Sequence, residues 1–177
     1  MILDKIIGYM AAILLITFVP LMIVSMKNDQ NIQNYVDEQV NEFINNACAT
    51  GIITSSGYEI LTNKLDRTGI IYDIYLIHSN EQIEPIVDEA GTVNLNEFSI
   101  YHNEFRNTEI FNSLFPEDGT NGIKKYYMKK GDYLRIIVEN KSPTMGTRLW
   151  NSISVRSGYA TIQTNVGNYV GNEVAFR

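Results

Sequence analysis

The longest hydrophobic stretch of the chain runs from Ile6 to Met26 and contains no charged residue. Lys5 and Lys27 bound it on either side. An α-helix rises about 1.5 Å per residue, so a helix over this stretch spans about 30 Å, the thickness of the hydrocarbon core of a bilayer. The pattern therefore predicts a membrane-spanning helix, and we assign residues 1–29 as a membrane anchor.

The stretch allows two interpretations, an uncleaved signal anchor and a cleaved signal peptide. It is longer than the apolar core of a usual signal peptide, and Val24–Lys27 lacks the small-x-small pattern of a cleavage site. Ala47–Ala49 has that pattern but lies far downstream. These features favour a single-pass signal anchor in the cell membrane. The charges flanking the stretch barely distinguish the two orientations, but a short N-terminus before a large acidic domain favours an extracytoplasmic C-terminal domain.

Small residues and one proline stand out within the anchor. Gly8 and Ala12 lie four residues apart, on one helix face, and such spacing lets membrane helices approach each other closely. The alternative is that these small residues simply fill space. Pro20 is tolerated in a membrane helix and would introduce a kink or a softer joint.

A second hydrophobic pattern follows without an intervening proline or glycine. Apolar residues recur at the spacing of one helix face, at Ile32, Tyr35, Val36, Val40, Phe43, Ile44 and Ala47. We predict one helix from about Leu3 to Cys48, closed by Gly51. Its apolar stripe is expected to pack on the following domain through Val36, Val40, Phe43 and Ala47. The charges of Asp37, Glu38 and Glu42 would stay solvated or face neighbouring subunits.

The domain, residues 30–177, continues with alternating helix and strand signals. Ser56 and Glu59 have the spacing of a capping box at the start of a short helix. Ile70–His78 alternates apolar and polar residues as a strand does. Ser79–Gly91 is acidic and turn-like, and a helix is predicted to follow, from residue 94 or 96 to residue 114.

The last part of the domain carries the clearest strand signals. Ile123–Met128 and Tyr133–Glu139 are separated by a short turn and are predicted to pair as a hairpin. Ser142 before Pro143 favours a helix start, and one or two strands are expected within Gly158–Phe176. This order predicts an α+β fold, with the long N-terminal helix packed on a small antiparallel sheet.

Charge and cysteine content narrow the classes of partner. The chain has 14 Lys and Arg against 20 Asp and Glu, a net charge of −6. The acidic excess lies in residues 30–177, which argues against nucleic acid or an anionic membrane surface as a partner. Cys48 is the single cysteine, so the chain has neither an internal disulfide nor a cysteine-rich metal site.

Motifs for catalysis or cofactor binding are sparse. The sequence contains no glycine-rich nucleotide loop, nucleophile elbow or paired-histidine metal motif. His78 and His102 lack the spacing of a ligand pair, and Cys48 fits a buried small hydrophobic residue better than a nucleophile. Glu117–Asn121 resembles a fragment of a calcium loop but lacks its bidentate glutamate. We therefore expect no catalytic, cofactor-binding or metal-binding residues, and a protein that is not an enzyme.

Four segments of the chain share a pattern with one known family: Val36–Phe43, Gly51–Thr54 with Tyr58, Leu65–Ile74 and Met128–Val138. Together they resemble TadE-like minor pilins of tight-adherence pilus systems in Gram-positive bacteria. The resemblance implies a pilin-like build, in which an apolar helix continues as an amphipathic helix on an antiparallel sheet. Pilins usually carry a glycine before a cleavage site and a glutamate shortly after it. No glutamate follows Gly8 in the apolar stretch, so an unprocessed minor component fits better than a major filament subunit.

The resemblance implies a non-enzymatic, membrane-anchored minor pilin or pseudopilin-like subunit of a pilus or secretion machine. Its N-terminal helix would hold it in the membrane. Through the same helix it would assemble with other pilin-like subunits or assembly proteins, including further copies of itself. The alternative hypothesis is a single-pass extracytoplasmic binding or sensor protein unrelated to filaments. Its domain would recognise a partner through tyrosine-bearing strands.

Overall fold

A computed structural model describes residues 2–87, 93–116, 123–152 and 161–171 of the chain. The first element is one uninterrupted helix, α1 (Ile2–Thr50), of 49 residues. The helix continues through Pro20 and is followed by Gly51, whose φ of 67° is easily adopted only by glycine. The predicted single helix is therefore confirmed, and it ends two residues later than expected.

The two halves of α1 have different surroundings. None of the residues in the most apolar part of the helix is buried by the rest of the protein. Among the described residues, α1 is the one helix long and apolar enough to cross a membrane. From Val36 onward the helix contributes to the core of the domain. One rigid element thus has a free apolar half and a docked amphipathic half.

The domain contains two small antiparallel sheets in its described part. The four-stranded sheet has the order β3-β2-β5-β6, and the two-stranded sheet pairs β1 with β4. In chain order the strands are β1 (Ile52–Thr54), β2 (Tyr72–Val87), β3 (Val93–Arg106), β4 (Lys125–Tyr127), β5 (Tyr133–Asn140) and β6 (Gln163–Tyr169). Three further helices are α2 (Ser55–Asp66), α3 (Asn107–Leu114) and α4 (Met145–Asn151). The α+β class is as predicted.

The core lies between α1 and the inner face of the larger sheet. On α1 the fully buried side chains include Val36, Val40 and Ile44. Every second residue of β5, Leu134, Ile136 and Val138, is buried against them. This alternation is expected where one face of a strand covers a helix and the other meets solvent.

The strand directions define a near and a far end of the sheet relative to the anchor. Gln33 of α1 bonds Thr164, and Asn45, further along α1, bonds Asn168. Strand β6 therefore runs away from the anchor, β5 runs back toward it, and β2 runs away again. Residues 80–87 of β2 pair only with β3 among the described strands. We call residues 80–87 and 93–103 the β2–β3 arm, and it extends from the far end.

Two predictions on the middle of the chain are wrong. Residues 79–87 are not a turn but continue β2, and residues 93–106 are not helical but form β3. The helical part begins only at Asn107. Polar residues between the apolar ones gave this segment an imperfect helical pattern. Pairing with β2 over residues 93–94 and 98–106 favours the strand instead.

The predicted hairpin between residues 123–128 and 133–139 is also wrong. Both strands form, yet β4 pairs with β1 and β5 lies between β2 and β6. The turn itself exists, because the Asp132 amide donates to the Lys129 carbonyl at 3.1 Å. The strands diverge after this turn because each finds a different partner elsewhere in the chain.

Two helix starts are shifted from their predicted positions. The N-cap of α2 is Thr54, whose hydroxyl accepts from the Gly57 amide at 3.0 Å, and not Ser56. The N-cap of α4 is Thr144 rather than Ser142. Ser142 instead accepts from the Ile71 amide at 3.0 Å and links two chain segments. The predicted strand within residues 158–176 is confirmed as β6. The calcium-like loop lies outside the described residues, as do residues 153–160 and 172–177.

Candidate functional site

The apolar half of α1 presents its small residues on an open surface. Gly8 and Ala12 are exposed, and a β-carbon built on Gly8 would meet no atom within 4 Å. Pro20 lies within the same uncovered half. This half can therefore contact lipid or another helix without any rearrangement of the domain.

Apolar side chains of α1 dock the helix on the domain. Val36, Val40 and Ala47 are buried, and Phe43 is half-buried beside α2. Each large apolar side chain removed from water contributes about 1.5–3 kcal/mol. The four residues named from sequence for this packing thus lie at or next to the interface with the sheet and α2.

Polar contacts on β6 add a fixed register to this docking. Asp37 accepts hydrogen bonds from the Thr164 hydroxyl and, at 2.8 Å, from the Gln33 amide. Further along, Asn168 donates to Asn45 at 3.0 Å. Directional bonds at two levels of the helix resist sliding of α1 along the sheet. Asp37 is therefore engaged within the domain and is not free to pair with a neighbouring subunit.

The remaining acidic residues of this half keep more exposed positions. Glu38 is exposed, and Glu42 forms an ion pair with Lys64 of α2 at 2.7 Å. This pair stands beside a groove of about 360 Å³ between α1, β1 and α2. Phe43 and the exposed Ile60 give the groove an apolar lining. It is a shallow surface for contact with another side chain or chain segment.

Cys48 is inaccessible. Its side chain is buried, and its thiol donates to the Asn168 carbonyl. Burial raises the pKa of the thiol to about 11, which disfavours the reactive thiolate. The residue therefore has the environment of a structural hydrophobic side chain.

A buried polar cluster joins β2, β4 and the turn before β5. His78 Nε2 donates to the Asp132 carboxylate at 2.8 Å, and Nδ1 lies 2.8 Å from the Tyr126 hydroxyl. The same carboxylate accepts from the Lys129 amide at 2.7 Å. Phe105 stacks on the imidazole. Sequence reasoning missed this cluster because its members lie on separate elements, with no local spacing to connect them.

The cluster combines a carboxylate, an imidazole and a hydroxyl, as some catalytic sites do. Here the hydroxyl is the phenol of Tyr126. Burial raises the pKa of Tyr126 to about 12, and the negative charges of Glu109 and Asp132 contribute to the same rise. The cluster lines neither the groove between α1, β1 and α2 nor a second groove between α1 and the end of α2. Its geometry therefore fits a structural role, in which a buried hydrogen-bond network holds three chain segments together.

Among the described residues, no group of three or more His, Cys, Asp or Glu side chains could hold a metal ion. His78 is committed to the cluster, and the side chain of His102 lies outside the described set. No family model, curated protein or solved structure matches the chain.

Proposed function

We propose that the protein is a non-enzymatic, membrane-anchored subunit of a pilus or secretion machine, of the minor pilin or pseudopilin-like type. It assembles through the apolar half of α1, and its domain is extracytoplasmic. Its partners are the membrane and other pilin-like subunits or assembly proteins, further copies of this chain included.

The observation that carries this proposal is the division of a single helix into a free and a docked half. A domain that is merely attached to the membrane needs only a spanning helix and a flexible linker. Here the span continues without a break into the core of the domain, so the position of the domain is fixed by the position of the helix. Packing of such helices against one another would order their domains on the outside of the bundle.

The small-residue face supplies a surface for that packing. Association of membrane helices depends on close van der Waals contact, which Gly8 and Ala12 permit. Because the apolar stretch has no glutamate, register between subunits would come from shape and not from a buried charge. This fits a minor, unprocessed component.

Crosslinking in native membranes tests the proposal. A photoreactive group attached to Gly8→Cys or Ala12→Cys, in a Cys48→Ala background, is expected to capture a neighbouring protein. The matched controls are Met10→Cys and Leu14→Cys, which lie on the opposite helix face. We expect capture several-fold more efficient from the Gly8 and Ala12 positions. Intact-mass measurement of the extracted protein would show in parallel whether the N-terminus is retained.

Absence of any captured protein from all four positions would contradict assembly through α1. It would favour the second candidate, a solitary membrane-anchored binding or sensor protein. The observation that supports this second candidate is the β2–β3 arm, on which Phe98 and Tyr101 are exposed. Exposed aromatic side chains on a projecting ribbon are suited to binding a partner.

A further inference from the structure

Helix α4 lies against the last turn of the apolar stretch. The Asp29 carboxylate accepts from the Thr144 hydroxyl at 2.6 Å and from the Gly146 amide at 3.4 Å. A β-carbon built on Gly146 would lie 3.5 Å from the Ser25 carbonyl oxygen. Ser25, still within the apolar stretch, is buried by this packing. The first turn of α4 is therefore fixed to the end of the anchor.

The position of these contacts along α1 sets the depth of α4. If the apolar stretch spans the hydrocarbon core, Asp29 stands about 5 Å beyond its edge. The polar headgroup layer on each side of a bilayer is about 5–7 Å thick. The N-terminus of α4 consequently lies at the level of the lipid headgroups.

The same face of α1 is shielded further into the apolar stretch. Phe18 and Met22 lie on the helix face of Ser25 and Asp29. They are the two residues between Lys5 and Val24 that are half-buried, while all others there are exposed. The face of α1 that contacts α4 is thus also the less exposed face of the apolar stretch. The bonds of α4 to Asp29 hold the domain close to the end of this stretch, without a free linker.

The exposed side chains of α4 suit that boundary. Met145 is 64% exposed and Trp150 is 51% exposed, although both are large and apolar. Tryptophan is enriched at membrane interfaces, where the ring meets the apolar edge and the indole N–H meets polar groups. Arg148 is exposed between them and can extend its charged end to the headgroups.

A further apolar side chain is exposed at the near end of the sheet. Ile71 is 62% exposed and precedes β2 at the end nearer the anchor. Its carbonyl accepts from the Lys141 amide at 2.7 Å, and its amide donates to Ser142. These bonds place Ile71 beside the segment that leads into α4. Two separate segments at this end of the sheet therefore expose apolar side chains.

We propose that α4 and Ile71 form a membrane foot that rests in the headgroup layer, with Met145 and Trp150 inserted among the lipids. The inference rests on the proposed membrane anchor. The occupant is a phospholipid bilayer, since the foot is continuous with the spanning helix. Insertion of apolar side chains drives the contact, because the domain is acidic and gains nothing from anionic lipid. The foot would hold the domain at a fixed tilt above the bilayer.

The protein has one tryptophan, so its fluorescence reports on the foot directly. Full-length protein reconstituted in phosphatidylcholine vesicles is the sample. We expect Trp150 emission to be blue-shifted, quenched by lipids brominated near the headgroup, and several-fold less accessible to acrylamide than a control. The control is Trp150→Phe combined with Phe98→Trp, which moves the fluorophore to the exposed β2–β3 arm at the far end of the sheet.

Flotation of the vesicles separates the two ways in which this can fail. Protein that floats with the vesicles, but whose Trp150 is as open to acrylamide as the control and unaffected by brominated lipid, would overturn the foot and leave the anchor intact. Protein that does not float would overturn the anchor and the foot together.

Discussion

Replacing Val40 by Asp is expected to unfold the domain or to lower its free energy of unfolding by at least about 4 kcal/mol. The Val40 side chain is fully buried between α1 and the sheet. A carboxylate at this position would lose its contact with water and would be surrounded by apolar side chains. A domain of this size is stable by only about 5–15 kcal/mol.

The matched control adds the same charge on the outside of the helix. Asn34→Asp introduces a carboxylate at an exposed position of α1 and is expected to change the free energy of unfolding by less than about 0.5 kcal/mol. Urea unfolding of the detergent-solubilised protein, followed by near-ultraviolet circular dichroism, measures both variants. Equal midpoints for Val40→Asp and Asn34→Asp would contradict the docking of α1 on the sheet.

The second large effect is expected from Asp132→Ala, at about 3 kcal/mol of destabilisation. This substitution removes the acceptor of both the His78 imidazole and the Lys129 amide. It leaves one buried and one partly buried donor without that acceptor. Tyr126→Phe removes one hydrogen bond of the same cluster, so its expected cost is only about 1 kcal/mol.

A surface carboxylate provides the comparison for this cluster. Asp73 lies on the exposed side of β2 and pairs with Lys141 at 3.4 Å. Asp73→Ala is expected to cost less than about 0.5 kcal/mol, because exposed ion pairs contribute little. Thermal unfolding of the three variants should therefore rank Asp132→Ala as the least stable. A loss no larger than that of Asp73→Ala would show that the cluster does not fix the fold.

Local patterns were sufficient to predict the helix and the division between its apolar and its amphipathic half. A charge-free stretch followed by apolar residues at helical spacing indicates one helix whose second half is amphipathic. Helix α1 does run without a break from Ile2 to Thr50. The strand starting near residue 70 and the β5 strand were predicted for the same reason, since their alternation is written in consecutive residues.

Pairing between distant segments could not be read in the same way. The residues of β3 form a strand because β2 is available beside them, and β4 leaves β5 because β1 accepts it. The His78 cluster depends on three elements meeting in space. The contact of α4 with Asp29 likewise joins residues 115 positions apart. Each of these features is decided by tertiary contact and not by local propensity.

The most direct measurement of the central claim is an accessibility profile along α1 in sealed right-side-out membrane vesicles. Single cysteines at Ile13, Ile16, Asn28 and Asn34, in a Cys48→Ala background, are treated with a membrane-impermeant maleimide. An anchor that continues into an extracytoplasmic domain predicts labelling of Asn28→Cys and Asn34→Cys from outside, and labelling of Ile13→Cys and Ile16→Cys only after denaturation. Rapid labelling of Ile13→Cys and Ile16→Cys in intact vesicles would contradict a membrane-spanning helix.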